Sequence, residues 1–179
     1  MANNSAKPMS TLFIRNVARL TRKLLKIDDD HFVNVTKTLD VLTVELSNYS
    51  FNYMILPDDH PLFIRREEAK TDVLGGTIYI KDSVYKEAAH KKYCRAHYTI
   101  AHEIGHFVLH RVLNTLNFAR SNEIEGHKIY KDPEWQADTF ASEFLMPYEK
   151  CLELKPEEIR RKYHVSTSAA KTRYNKIHK

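Results

Sequence analysis

The stretch YTIAHEIGHFVLHRVL, residues 98–113, limits the fold more than any other part of this 179-residue chain. On a helix each residue turns by about 100°. Ile100, Ile104, Phe107 and Val108 then share one stripe, which has to face a core. His102 and His106 lie one turn apart on roughly the opposite side, with Glu103 between the two faces. Such a helix must bury one side and turn the other toward an open cleft. The pattern predicts one long helix from about Tyr85 or Ala88 to Leu113.

The flanking sequence supplies further elements. Phe13, Val17, Leu20, Leu24 and Ile27 recur at helical spacing, and after the Asp28–Asp30 run Phe32, Val35, Leu39, Leu42 and Leu46 form a second stripe. FNYMIL, from Phe51, reads as a strand. LFIRR, from Leu62, reads as another, and GGTIYIKD as a third, with Gly75 and Gly76 in the turn before it. Residues 114–132 are polar, without a clear period, and suit a segment that gates a cleft. Two helical patterns close the chain, before and after Pro156. The division expected is a helical segment over residues 1–50, a core over 51–154 and a basic helix-turn-helix-like tail over 155–179.

Two imidazoles at i and i+4 can reach one metal ion, and a glutamate beside the first can reach a water on that ion without binding it. Gly105 removes a side chain next to the pair. A polar helix face that merely contains histidines is the plain alternative. His110 does not extend the set: on a straight helix it lies about 12 Å from His102 along the axis and is rotated by about 80°. The glycine that breaks the helix before a nearby third histidine is also absent, because position 109 is Leu. His110 therefore reads as a supporting or structural residue.

A three-ligand catalytic site needs another donor, and DPEWQADTFASEFLMP can supply it. Asp132 is a good N-cap and Pro133 a good first helical residue. Glu134 then sits in the first turn, where the helix dipole favours a carboxylate. Glu134, Ala137, Asp138, Ala141 and Leu145 gather on one face, and the two alanines permit close helix packing. Glu134 is placed to be the third ligand. Asp138, one turn on, can accept the spare N–H of a ligand histidine and fix its tautomer.

AHEIGHFVLH, followed 28 residues after His106 by E-x-x-A-D-x-F-A and FLMP, resembles the ImmA/IrrE family of bacterial zinc metallo-endopeptidases. GGTIYI and YCRAHYTIAHEIGH are also similar to that family, and the likeness covers roughly Gly75 to Pro147. The resemblance implies an α+β, gluzincin-like core: a small, mostly antiparallel sheet packed on helices, with a C-terminal helical hairpin. It implies zinc held by His102, His106 and Glu134, Glu103 as general base and Asp138 as orienting carboxylate. Gln136 stands where the family often carries an acid. The implied activity is cleavage of a cytoplasmic helix-turn-helix repressor to relieve repression.

An oxyanion stabiliser is also needed, and His127, Tyr130 and Tyr148 are candidates the sequence does not rank. Thr77, Ile78 and Tyr79 suit an edge strand that binds substrate in extended form. Charge is split unevenly. Residues 155–179 carry eight Lys or Arg against two acids, a net of +6, leaving −1 on the remainder with its 20 basic and 21 acidic residues. Such a tail suits packing or partner docking better than specific DNA binding. The rival functions are a DNA-binding regulator that keeps a zinc fold, and a toxin-like partner that only binds a repressor. Glu103 separates them, since a pure binder needs no such carboxylate. Cys94 and Cys151 have neither metal-ligand spacing nor a disulfide framework. MANNSAKPMS lacks an apolar leader core, and no run is long enough to cross a membrane, so a cytoplasmic protein is expected.

Overall fold

A computed structural model describes residues 6–64, 66–90, 94–116 and 128–179. His127 and most of the expected gating segment, residues 117–127, lie outside the described residues.

Helix α1, Thr11–Leu24, starts where the Ser10 side chain accepts from Phe13 N at 3.2 Å. Its buried stripe is Ile14, Val17, Ala18 and Thr21, continued by Leu25. This corrects the expected stripe: Phe13, Leu20 and Leu24 are exposed and Val17 alone of the helical set is buried. The offset is one helical step. Small Ala18 and Thr21 let α1 approach its neighbour closely, and Arg22 must face inward. Arg22 is 1% exposed and donates to the carbonyls of Phe144, Asp28 and His31 and to the Asp29 carboxylate. A buried guanidinium with this many acceptors closes the turn after α1 and decides which face turns in. Helix α2, Val35–Glu45, is capped by Asn34 and buries Val35, Leu39 and Leu42 as the sequence predicts.

The sheet has strand β1 (Asn52–Leu56), β2 (Ala69–Asp72) and β3 (Thr77–Lys81), in the order β1-β3-β2. β1 runs parallel to β3, with Asn52 opposite Thr77, and β2 runs antiparallel to it, with Ala69 opposite Ile80. The sheet is therefore mixed rather than mostly antiparallel. The LFIRR segment is not the second strand. Leu62 and Phe63 sit in turns, with Phe63 N bonded to His60 O at 3.0 Å, and the strand forms further on at AKTD. The β2–β3 turn needs glycine: Gly76 has φ +81°, and a Cβ there would fall 2.5 Å from Ser50 O.

Two helices occupy the region read as one long helix: α3, Asp82–Ala89, and α4, Cys94–Phe107. After Phe107 the helix widens into a π-turn, Val108–Val112, before the short α5, Leu113–Thr115. Arg111, in the π-turn, donates to the carbonyls of Tyr49, Val73 and Leu74 and so fastens the β2–β3 turn to the end of α4. Helix α6, Pro133–Leu145, is capped by Asp132, which accepts from Glu134 N at 2.9 Å. Ile100, Ile104, Phe107, Ala137, Phe140, Ala141 and Phe144 are all fully buried where α4, α6 and the sheet meet.

Short α7 (Tyr148–Cys151) leads to α8 (Pro156–Tyr163) and α9 (Thr167–Ile177), the C-terminal hairpin, with a left-handed His164 between the last two. The hairpin's apolar side is buried: Ile159, Tyr163, Val165 and Ala170 join the same core that holds Ile14 and Phe140. Lys162 and Lys150 both pair with Asp30, which ties this region to the α1–α2 loop. No helix among the described residues is long and apolar enough to cross a membrane.

Candidate metal centre

The site is built where α4 and α6 pack at close range. A Cβ on Gly105 would lie 3.0 Å from Phe140 Cδ1 and 3.2 Å from the Ala137 carbonyl oxygen. Gly105 thus sets the spacing of the two helices. With Ile100 and Ile104 turned into the core, His102 and His106 turn toward α6, and Glu134 and Asp138 face them from its first turns.

Three side chains converge. His102 Nε2 lies 3.0 Å from His106 Nε2, Glu134 Oε2 is 3.3 Å from His102 Nε2, and Glu134 Oε1 is 3.4 Å from His106 Nε2. A tetrahedral ion with bonds of about 2.0–2.1 Å spaces its ligands by roughly 3.4 Å. The donor set fits such an ion, and all three donor atoms lie within 4.8 Å of one another. His102 Nδ1 is 2.9 Å from Asp138 Oδ1. An N–H donated to that carboxylate leaves the Nε2 lone pair facing the other donors. Tyr98 OH in turn donates to Asp138, at 3.2 Å to both its backbone and a carboxylate oxygen.

The electrostatics follow this arrangement. The hydrogen bond from His106, then the nearby His106 and His102 rings, hold Glu134 at about 2 against partial burial. The His102 bond depresses Asp138 as well. Burial works against charge on His102, but Asp138, Glu103 and Glu134 outweigh it and its pKa rises. Tyr98 is pushed upward by burial and by Asp138, so it stays a hydrogen-bond donor.

Glu103 stands apart from this cluster. It is 8% exposed, lines the same cleft, and its Oε2 accepts from Thr71 Oγ1 on β2 at 2.6 Å. The cleft, of about 820 Å³, is bounded by β2 residues Ala69, Lys70 and Thr71 on one side and by His102, His106 and Glu134 on the other.

Several expectations change at this site. Thr77, Ile78 and Tyr79 cannot be an edge strand, because β3 is the central strand and is paired on both sides. The edge that borders the cleft is β2. Tyr148 does not reach the cleft: it lies under Arg15, 3.5 Å from guanidinium carbon to ring centroid, and lines a separate cavity. Tyr130 is not among the cleft-lining residues either, and its ring packs edge-on against Trp135 at 5.2 Å. Gln136 is fully buried and donates to the carbonyls of Lys7 and Tyr130, so its departure from an acid does not touch the donor set.

His110 lines the cleft beside His106. The π-turn takes more residues per turn than an α-helix and leaves the His110 ring 5.6 Å from that of His106. Burial lowers its pKa to about 4, so it is a neutral neighbour of the donor set and not one of its three members. Sequence reasoning missed Thr71 and Tyr98. A threonine in a strand and a tyrosine on a helix carry no pattern of their own, and only the fold brings them to Glu103 and Asp138.

An α+β domain with a two-histidine, one-glutamate cluster and a separate buried glutamate on one cleft has the make-up of a metallopeptidase. Residues 76–175 match the profile of a peptidase family described as the IrrE N-terminal-like domain, and the chain belongs to that family. No curated protein matches the chain, and no solved structure does.

Proposed function

We propose that the protein is a zinc-dependent endopeptidase that cleaves one specific protein, a helix-turn-helix transcriptional repressor, and so relieves repression. The catalytic part is carried by one observation: a metal-type donor set shares its cleft with a carboxylate, Glu103, that is held out of the set by Thr71. Membership of a peptidase family supports the reaction class. The repressor as substrate, and with it a cytoplasmic location, rests on the family resemblance.

His102, His106 and Glu134 are the ligands in this reading. Zinc held by these residues would supply a Lewis acid for the scissile carbonyl and would make water nucleophilic near neutral pH. Glu103 accepts a proton from the attacking water and returns it to the leaving amine. Asp138 keeps His102 in the tautomer that a ligand requires. Strand β2 pairs only with β3 among the described residues, so its outer edge can take an extended substrate segment by main-chain hydrogen bonds. Folded proteins offer few such segments, which confines cleavage to an exposed linker or mobile helix end of the target.

The test is co-expression of the chain, or its Glu103→Gln form, with a candidate helix-turn-helix repressor, followed by mass spectrometry. A discrete fragment pair that needs both Glu103 and zinc is expected. An intact repressor held in a stable complex overturns the endopeptidase reading in favour of a binding partner.

A further inference from the structure

A second cavity, of about 270 Å³, lies on another side of α6 from the metal centre, between α1, α6 and α9. It is lined by Arg15 from α1, by Arg173 and Lys176 from α9, and by Trp135 and Tyr148. Glu143 is the only acid among its described lining residues. Arg173, 3% exposed, engages both oxygens of that carboxylate, at 2.8 and 2.5 Å. Arg15 Nε is 3.3 Å from the same Glu143 but outside hydrogen-bonding geometry, and Arg173 Nε has no oxygen acceptor, the Cys151 thiol being the further neighbour of this guanidinium. One carboxylate thus faces two guanidiniums, exposed Lys176 adds a third cation to the lining, and the Nε donors of Arg15 and Arg173 remain without an oxygen acceptor. A single carboxylate leaves this cationic lining in excess, and buried N–H donors without an acceptor are costly.

The geometry points to a binding site for a small oxyanion, phosphate or a compact phosphate monoester, which nothing in the catalytic reading uses. Guanidinium groups match the oxygens of such an anion better than those of chloride. The hydroxyls of buried Thr139 and Ser142 line the same space and add neutral donors. The volume falls below the roughly 300–1,000 Å³ of drug-sized sites, so a whole nucleotide is too large. Occupancy would add a second countercharge beside Glu143 and link α1 to α9 across α6, the helix that carries Glu134 and Asp138.

Trp135 is the only tryptophan of the chain and lines the cavity, so its fluorescence reports on filling. The full chain is titrated with inorganic phosphate and with sulfate, against sodium chloride at matched ionic strength, in zinc-loaded and chelator-treated form. Saturable Trp135 quenching by phosphate and sulfate in both forms is expected, with a rise in Tm. Lys176→Gln, on an exposed position, should weaken binding severalfold. Arg15→Gln/Lys176→Gln should weaken it by roughly tenfold or more, as loss of charge-assisted bonds predicts. A response equal to that of chloride, indifference to both variants, or a signal that needs zinc overturns the proposal. The last outcome would place the anion at the metal centre and leave the peptidase reading intact.

Discussion

The Thr71 hydroxyl donates a 2.6 Å hydrogen bond to the Glu103 carboxylate and thereby joins the edge strand of the sheet to the helix of the metal centre. Thr71→Val keeps the shape and removes the donor. A hydrogen bond to a charged group contributes about 1.5–3 kcal/mol. The variant should therefore lose roughly ten- to a hundredfold in turnover while holding its full complement of zinc. Glu103→Gln should hold zinc and lose turnover altogether. Parallel zinc analysis and kinetics check both, and an unimpaired Thr71→Val enzyme would remove Thr71 from the catalytic account.

In the proposed site Asp138 acts through His102, whose Nδ1 lies 2.9 Å from its carboxylate. Asp138→Ala should weaken metal affinity by about 10–100-fold, the usual cost of losing an orienting carboxylate. Glu134→Ala should weaken it further, since it removes a donor. Tyr98→Phe should have the smallest effect, because it only relaxes Asp138. Competition against a chromophoric chelator ranks the three. Full zinc occupancy after loss of Glu134 would sink the ligand assignment.

Gly105→Ala places a methyl 3.0 Å from Phe140 and 3.2 Å from the Ala137 carbonyl. Overpacking of this kind costs about 1–3 kcal/mol, partly offset by the better helix propensity of alanine, about 1 kcal/mol. The net expectation is a lower midpoint in denaturant together with weaker metal binding, because α6 is pushed away from His102 and His106. A variant that binds metal as wild type does would show that helix spacing is not what sets the site.

Asp30 gives a pH signature. Hydrogen bonds from Lys150 and Lys162 lower its pKa from 3.8 to about 2. A carboxylate depressed on folding contributes stability that is present above its unfolded pKa and is lost as pH falls through the folded one. Between pH 4 and pH 2 the wild-type chain should therefore lose stability more steeply than Asp30→Asn. Tm measured across that range for both proteins decides it, and parallel curves would count against the pairing.

How much of this was legible beforehand depended on how local each signal is. The α4 stripe, His102, His106, the Asp132 cap and the face shared by Glu134 and Asp138 all follow from spacing along one helix, and the structure places them as the spacing predicts. The stripe of α1 was misplaced because apolar residues occupy two adjacent helical faces, and the inward turn of Arg22 depends on carbonyls far along the chain. β2 was invisible: AKTD has no apolar alternation and is a strand only because β3 pairs with it. Placing β3 at an edge failed for the same reason, since strand order is non-local. The π-turn that brings the His110 ring beside His106 has no composition of its own, so that proximity was not legible.

Helix α6 has an unusual distribution of exposure: between Pro133 and Leu145, Glu134 and Asp138 are the only exposed residues, and every other position is buried or half-buried. The two residues that solvent leaves free to vary are the two that the proposed chemistry holds fixed. The helix therefore has no neutral positions, and sequence drift in this chain must be absorbed elsewhere. Stabilising and functional requirements fall on separate residues of the same thirteen-residue segment, so a substitution there will damage one or the other, and seldom neither.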